Sequence, residues 1–204
     1  MQDLSEDSFY CYPGTDVLIN LQGERDPEKL ASVERLFSGA RLADLYRKPC
    51  PGRFDLKHLQ KIHHYLFQDI YPWAGQLRRV DISKGFLFCH VAYIEHEAHK
   101  LFAWLKEQKF FRGLGFDELM DKASHLFSEI NALHPFRDGN GRTQREFLRE
   151  LLLRTGYEVR YSMLQDPSLM IRASVAACNG DESLMRQLFC ACTVKRGTRV
   201  PQNS

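Results

Sequence analysis

The stretch HPFRDGNGRTQREF, residues 134–147, places a histidine, an acid, an asparagine between two glycines, and arginines within one short turn. Upstream of it, over residues 117–133, apolar residues recur every three or four positions, which predicts a long buried helix. Downstream, residues 142–154 alternate charged and apolar positions, and Gly156 stands where a left-handed terminating residue is expected. The stretch therefore predicts a turn between two core helices and favours an all-α fold.

Helical patterns account for most of the remaining chain, and capping acids, prolines and glycines mark their limits. The predicted helices run from Asp26 to the RKPCPG segment, from Asp55 to the YPWAG turn, over 95–109, and over DPSLMIRASVAACNG and DESLMRQLFCACTV. Residues 77–94 differ, because β-branched and aromatic residues surround a turn-forming Ser-Lys-Gly group. This segment predicts the single β-hairpin of a helical protein.

The composition limits how many domains the chain can form and which kinds of partner it can bind. A chain of 204 residues with 44% hydrophobic and 12% aromatic content can fill one core and is short for two ordinary domains. We predict one domain over 1–204, with a core of about residues 10–192 and a flexible tail at 193–204. The net charge of +2 provides no field that would favour nucleic acid or an anionic membrane as the main partner.

Cysteine usage and the N-terminal residues indicate a reducing compartment. The six cysteines include no CxxC pair and mostly lie in apolar surroundings, which favours free buried thiols over a disulfide or zinc framework. The first residues carry acids where a signal peptide carries basic and then apolar residues, and no apolar run approaches membrane-spanning length. We therefore expect a cytoplasmic protein, and injection into a host cell by a specialised secretion system is also compatible with this sequence.

The central turn has the composition of a phosphate-binding loop. Gly139 and Gly141 flank Asn140, and glycines allow backbone conformations that point successive amide N–H groups at one anion. A helix that begins near Gly141 adds its unpaired N–H donors and the positive end of its dipole. Arg142 and Arg145 lie near the first turn of that helix, so both can reach an anion with several oxygens, such as a di- or triphosphate.

Two further side chains of the turn suggest chemistry at a bound phosphate. Asp138 supplies a hard oxygen, and Mg²⁺ in proteins typically takes one or two carboxylates together with substrate phosphates and water. Histidine is the residue type of this stretch whose unperturbed pKa lies near neutrality, which makes His134 the natural general base for a hydroxyl nucleophile. Each residue alone is weak evidence, since a lone histidine after a buried helix is more often a hydrogen-bonded core residue. Their conjunction in fixed order favours a site, with Phe136 expected to anchor the turn in the core.

These residues resemble the signature of the Fic family, HxFx(D/E)GNGRxxR, at every fixed position. The matching residues are His134, Phe136, Asp138, Gly139, Asn140, Gly141, Arg142 and Arg145. Likeness in YPGTDVLIN, DIYPWAGQLRRVDI and FCHVAYIE extends the resemblance over roughly residues 10–190. The resemblance implies a Fic-type helical bundle with one short hairpin, called the flap. It also implies transfer of a nucleoside monophosphate, usually AMP from ATP, to a protein hydroxyl.

The same resemblance implies a role for each residue of the motif. His134 would deprotonate a Ser, Thr or Tyr of the target, and Asp138 would hold Mg²⁺ against the α- and β-phosphates of the ATP co-substrate. Asn140 and the backbone of residues 139–141 would hold the anion. Arg142 and Arg145 would bind the departing β- and γ-phosphates and fix the orientation of the donor.

In the family, the flap receives an extended piece of the target by edge pairing, a docking mode that tolerates many sequences. The alternative is that the hairpin only covers the core. The predicted docking residues of the flap are Arg79, Val80, Asp81, Ile82, Ser83, Lys84, Gly85, Phe86, Leu87 and Phe88.

Many relatives are held inactive by a helix with the motif (S/T)xxxE(G/N), whose glutamate pairs with the second arginine of the signature, here Arg145. No Ser or Thr of this chain is followed four positions later by Glu, and Ser162, with Asp166, comes closest. The resemblance therefore predicts that a small antitoxin protein supplies the inhibitory helix, as in the branch of stand-alone toxins. The targets it implies are proteins such as a topoisomerase subunit or a host GTPase.

Other functions stay open at this point. Relatives of the fold transfer a γ-phosphoryl or another phosphate-linked group with the donor reversed, although the phosphoryl pattern has a lysine near Gly141 that GNGR lacks. A non-catalytic nucleotide-binding module that regulates a partner is a second alternative, and the presence of both His134 and Asp138 disfavours it. A helical nucleic-acid binder is disfavoured by the near-neutral charge and the absence of a basic stripe.

Overall fold

A computed structural model of the chain describes residues 9–83, 87–164, 166 and 168–197. Over those residues the fold is mainly helical, as the sequence predicts, and none of the helices is long and apolar enough to span a membrane. All six cysteines are free thiols. The helices are α1 (Pro27–Arg47), α2 (Leu56–Phe67), α3 (Ile94–Glu107), α4 (Phe116–Leu133), α5 (Asn140–Leu153), α6 (Ser168–Cys178) and α7 (Ser183–Cys192), and the strands are β1 (Tyr157–Val159) and β2 (Thr193–Lys195).

Helix α4 lies at the centre of the fold, where it packs against α3, α5, α6 and α7. Its apolar residues, spaced three or four apart from Leu119 to Leu133, are all buried. Each buried aliphatic or aromatic side chain contributes about 1.5–3 kcal/mol relative to an exposed one. The segment upstream of the central turn is therefore a rigid support for the residues that follow it.

Helix α5 is buried on nearly every side, since ten of its 14 residues are buried. Three of its charged residues, Glu146, Arg149 and Glu150, are buried as well. Arg149 donates to both carboxylate oxygens of Glu146, at 2.6 and 2.7 Å, and to the Leu45 carbonyl at 3.1 Å. Glu150 accepts the Cys50 amide at 2.7 Å. Burial raises the pKa of Glu146 to about 7. A satisfied polar layer thus ties α5 to the chain around α1.

The predicted hairpin between α2 and α3 forms only in outline over the residues that can be described. Ser83 and Leu87 form an isolated antiparallel bridge, and the Phe88 amide donates to the Ile82 carbonyl at 3.3 Å. Residues 84–86 lie outside the described part of the chain. The flap is therefore a pair of extended arms that meet at this bridge.

The regular sheet lies near the C-terminus, where the sequence predicts none. β1 and β2 pair antiparallel, with Tyr157 opposite Lys195 and Val159 opposite Thr193. Residues 193–195, which the sequence analysis places in the tail, form strand β2, and residues 198–204 lie outside the described part. A strand formed by pairing with a distant segment leaves no local pattern in three residues.

Candidate active site

The predicted residues of the central turn meet in one cleft between the start of α5, the end of α4 and α6. The cleft has a volume of about 350 Å³. His134, Asp138, Arg142 and Arg145 all contribute to its walls. The full lining is Phe88, Asn131, His134, Asp138, Gly139, Asn140, Gly141, Arg142, Gln144, Arg145, Met170, Ile171, Ser174 and Val175.

His134 ends α4 in a left-handed conformation, with φ 42° and ψ 61°, which turns its side chain out of the helix and into the cleft. Its Nδ1 lies 3.3 Å from the Asn131 carbonyl, which can only accept, so this nitrogen carries the proton of the neutral ring. The Phe88 ring stacks on the imidazole at 3.8 Å between centroids. Nε2 is consequently the basic nitrogen, and the ring is fixed on two sides.

The side chain of Asn140 braces the turn. Its Oδ1 accepts the Phe136 amide at 2.9 Å, and its Nδ2 donates to the Phe136 carbonyl at 2.7 Å. The second N–H of Nδ2 and the backbone amide are the donors of Asn140 for an anion, and its predicted role in holding one stays a prediction. The amides of residues 140–142 precede the first intrahelical bond of α5, which runs from Thr143 to the Gly139 carbonyl. These amides are the anion donors that a helix start provides.

Phe136 anchors the turn in the core, as the sequence predicts. It is 1% exposed and stacks on the ring of His63 from α2 at 3.9 Å between centroids. His63 Nδ1 accepts the Gly75 amide at 2.8 Å, while Nε2 donates to the Asp138 carbonyl at 2.9 Å. Both ring nitrogens are thus satisfied only in the neutral form. Burial lowers the pKa of His63 from 6.5 to about 4.

This buried histidine makes the fold sensitive to acid. The unfolded chain binds a proton at His63 as the pH falls through 6.5, whereas the folded chain resists it down to about 4. The contribution of neutral His63 to the free energy of unfolding is therefore fully present above about pH 6.5 and decreases as the pH falls from 6.5 to 4. At about pH 5 the decrease is on the order of 2 kcal/mol. Urea unfolding at about pH 7 and about pH 5 measures the loss, and His63→Gln should reduce the pH-dependent part. An unchanged pH dependence in that variant would contradict the assignment to His63.

Arg142 reaches the cleft from the first turn of α5 and is held from α1. Its guanidinium pairs with Glu34 and donates to Ser38 Oγ at 3.0 Å, and it lies 4.6 Å over the centre of the Phe67 ring. The Tyr71 hydroxyl donates to the other oxygen of Glu34. Because an arginine has five N–H donors, these contacts orient Arg142 and leave it able to bind an anion.

Arg145 lies deeper in the same cleft, and burial lowers its pKa. Within the described residues, no carboxylate forms an ion pair with it. An arginine held in low dielectric without a carboxylate gains much from a multiply charged anion. Its position therefore suits phosphate oxygens better than a structural role.

Asp138 meets the requirements of a hard metal ligand beside a phosphate site. One carboxylate oxygen accepts the Gly139 amide, and this bond sets the direction of the group within the cleft. A carboxylate has a second oxygen, and Mg²⁺ is commonly held by one carboxylate together with phosphate oxygens and water. The residues present therefore fit a magnesium ion that binds together with a nucleotide.

Arg78 ties the flap to the turn that carries His134. This arginine is 2% exposed and donates to carbonyls on both arms of the flap, to Val80 at 2.8 Å and to Cys89. It also donates to the His134 carbonyl at 2.8 Å. The neighbouring Arg79 is exposed. Because one guanidinium bridges both arms and the turn, the position of the flap follows that of the imidazole.

Of the flap residues predicted to dock a target, the described ones divide between two surfaces. Ser83 and Leu87 are exposed at the bridge, so both can face a docked chain. Val80 and Phe88 are buried, so their side chains cannot meet a docked chain directly. Phe88 instead supports His134, and only its backbone remains for edge pairing.

Comparisons with known proteins place the chain in a family. Residues 53–152 match the Fic/DOC family. Over 88% of its length the chain is 38% identical to the probable protein adenylyltransferase Fic of Salmonella typhimurium, and the match covers 89% of that protein. The chain belongs to the Fic/DOC family.

This Fic chain also resembles longer proteins and solved structures. It is 41% identical to protein adenylyltransferase VbhT of Bartonella schoenbuchensis over 88% of its own length, but it spans only 38% of VbhT. BepC of Bartonella tribocorum, a VirB-translocated effector solved with bound AMPPNP, superposes with a TM-score of 0.89 at 28% identity. That match covers 95% of this chain and 100% of BepC.

Several side chains of this Fic domain that hold the predicted site residues in place were not predicted from the sequence. The supports of Arg142, namely Glu34, Ser38 and Tyr71, come from α1 and a distant turn, and no local signal marks them. His63 is one of two adjacent histidines of α2 and likewise has no distinguishing sequence signal. Arg78 did have a signal, since two adjacent arginines in an extended segment must point to opposite faces.

Proposed function

We propose that this chain is a protein adenylyltransferase that transfers AMP from ATP to a Ser, Thr or Tyr hydroxyl of a target protein and releases pyrophosphate. The observation that carries the proposal is that the imidazole of His134, Arg142, Arg145 and the start of α5 share one cleft. The name of the Salmonella relative and the AMPPNP bound to BepC support the same class of reaction.

The reaction follows from the arrangement of these groups. Nε2 of His134 takes the proton of the target hydroxyl, and the oxygen attacks the α-phosphorus of ATP. The new O–P bond forms as the bond from the α-phosphorus to the bridging oxygen breaks, and pyrophosphate leaves. Such an in-line displacement needs positioning and charge neutralisation and no covalent enzyme intermediate.

The anion donors of the cleft would hold the donor phosphates. The amides of residues 140–142 and the positive end of the α5 dipole face the cleft, and Arg142 and Arg145 add two full charges. Asp138 would hold Mg²⁺, which when bound neutralises phosphate charge. Met170, Ile171 and Val175 of α6 give the cleft an apolar wall that suits the nucleoside part of ATP.

The target would dock on the flap, next to the imidazole. Edge pairing at the exposed bridge between Ser83 and Leu87 would present an extended target segment to the cleft. Targets of this class include a topoisomerase subunit or a host GTPase, and a cytoplasmic location, either in the producing cell or after injection, would give access to both.

A separate antitoxin would inhibit the enzyme through Arg145. The inhibitory helix of such a protein carries (S/T)xxxE(G/N), and its glutamate would pair with this arginine in place of the nucleotide phosphates. Support comes from Arg145 itself, which forms no ion pair with a carboxylate of the described residues. Glu34 of α1 is bound to Arg142 instead.

The transfer of label from ATP distinguishes this function from its alternatives. The protein is incubated with Mg²⁺, a bacterial lysate and ATP labelled at either the α- or the γ-phosphate. An adenylyltransferase leaves α-label on protein and releases γ-label with pyrophosphate. Retention of γ-label alone would indicate phosphoryl transfer, and ATP binding without any labelling would indicate a non-catalytic nucleotide module. Mass spectrometry of the labelled proteins then identifies the modified side chain.

A further inference from the structure

A second and larger cavity, of about 580 Å³, lies beside the nucleotide cleft, between the flap, α3 and α4. Its walls are largely apolar and include Leu101 and Trp104 of α3 and Leu133 of α4. Leu87 of the flap closes one end and is 67% exposed. None of the steps of the proposed reaction uses this cavity.

Phe88 is the wall that separates the two cavities. It lines both of them, and its ring stacks on the imidazole of His134. The phosphate-binding end of the cleft, at Arg142 and Arg145, belongs to the leaving pyrophosphate. An in-line acceptor arrives from the opposite end, where the wall stands. A chain that brings a hydroxyl to His134 therefore continues over Phe88 into the second cavity.

The length of this cavity matches a short extended peptide. Its α4 wall runs from His125 to Leu133, a rise of eight residue steps and thus about 12 Å at 1.5 Å per residue. An extended chain advances about 3.3 Å per residue, so roughly three to four residues fit. The apolar volume next to Trp104 is sufficient for a large side chain of such a peptide.

The charged residues at the rim of the cavity indicate the charge that the peptide should carry. At the end away from the flap, ligand atoms of His125, Glu129 and Glu182 lie within 4.8 Å of one another. Nearer the flap, Lys100 is neutralised by Glu97 at 2.9 Å. Two carboxylates that converge on one imidazole leave this end acidic, and a lysine or arginine side chain would compensate it.

We propose that this cavity is an acceptor groove, which binds three to four residues of the target protein next to the modified hydroxyl. A large apolar or aromatic side chain packs against Leu101 and Trp104, and a basic side chain lies at Glu129 and Glu182. The flap supplies sequence-tolerant backbone pairing, and the acceptor groove supplies the selection of targets. This inference rests on the proposed adenylyltransferase function.

The test fills the groove and reverses its charge. Ala132 lines the groove and is exposed, so Ala132→Trp occupies the volume without entering the core. Ala132→Trp and Glu129→Lys are made as separate variants. Each is compared with the wild type in a bacterial lysate that contains α-labelled ATP. We expect each variant to reduce the initial rate of target labelling about tenfold or more. Leu36→Trp, at a position on α1 that is 71% exposed, is the matched control and should label at the wild-type rate.

Calorimetric titration with ATP and thermal unfolding establish that the nucleotide cleft and the fold of each variant are intact. If the wild type labels its target and both groove variants do so at the same rate, the proposed acceptor groove is wrong. The adenylyltransferase function is unaffected by that result. Absence of α-label in the wild type overturns both. A wild-type dimer that dissociates in Ala132→Trp would assign the groove to a second copy of the chain. Mass spectrometry should find a large apolar and a basic residue within about four positions of the modified hydroxyl, and consistently acidic flanks would overturn the inference.

Discussion

The His134→Ala variant is expected to transfer AMP roughly 10²–10⁴-fold more slowly than the wild type, because the general base is lost. ATP binding should persist, since the phosphate donors lie on α5 and not on His134. Initial rates of α-label transfer measure the first effect, and calorimetric titration with ATP measures the second. The two measurements together separate loss of chemistry from loss of the nucleotide site.

A second substitution tests whether a distorted turn, and not the missing base, causes the loss of activity in His134→Ala. His134 has φ 42°, a conformation that alanine tolerates poorly and asparagine tolerates well, so His134→Asn keeps the turn while removing the base. Both variants should be equally inactive. His99→Ala, at an exposed position on α3, should behave like the wild type. Activity of His134→Asn within a few-fold of the wild type would remove this histidine as the base.

The Gly139→Ala variant is expected to unfold more easily by about 2–5 kcal/mol, from backbone strain and overpacking together. Gly139 has φ +76°, and a Cβ there would lie 2.4 Å from Cε2 of Phe67, a ring that is fully buried. The turn can only escape by moving away from α2, and this shift displaces the amides of residues 140–142. ATP affinity should therefore fall together with stability, as urea unfolding and calorimetry would measure.

Two other glycines separate the causes of this effect. Gly113 has φ +80°, and a Cβ added there would have no neighbouring atom within 4 Å, so Gly113→Ala reports the strain alone, about 1–2 kcal/mol. Gly141 is helical, and a Cβ there meets only the end of the Arg145 side chain at 3.3 Å. Gly141→Ala should therefore retain nearly full stability. If Gly139→Ala were no worse than Gly113→Ala, the close approach of Phe67 would not matter.

The two expected losses have a common structural origin in the supports of the central turn. Phe88 and Asn131 hold the imidazole, His63 holds the Asp138 carbonyl, and Phe67 sets the closest approach of Gly139. Reactive groups that must be positioned to a fraction of an ångström require such neighbours. The proposed catalytic residues lie close together in the chain, whereas most of the residues that position them come from distant segments.

Local interactions explain why much of this molecule could be predicted from its sequence. Asp26 and Asp55 cap α1 and α2 through the amides of the first turn, and such caps depend on neighbours within three residues. The periodicity of α4 and the turn from His134 to Arg145 are likewise local. Helical periodicity and an ungapped motif of eight fixed residues therefore sufficed to predict the fold class and the family.

Contacts between distant segments decided the remainder. β2 exists only because β1 pairs with it, and Glu34 approaches Arg142 across 108 positions. Glu146 and Arg149 of α5 are buried because they pair with each other. The Asn140 side chain closes on the Phe136 backbone, a contact that the sequence did not predict. Short-range sequence patterns carry capping and periodicity, whereas burial and pairing across the chain depend on free energies that exist only once the helices pack.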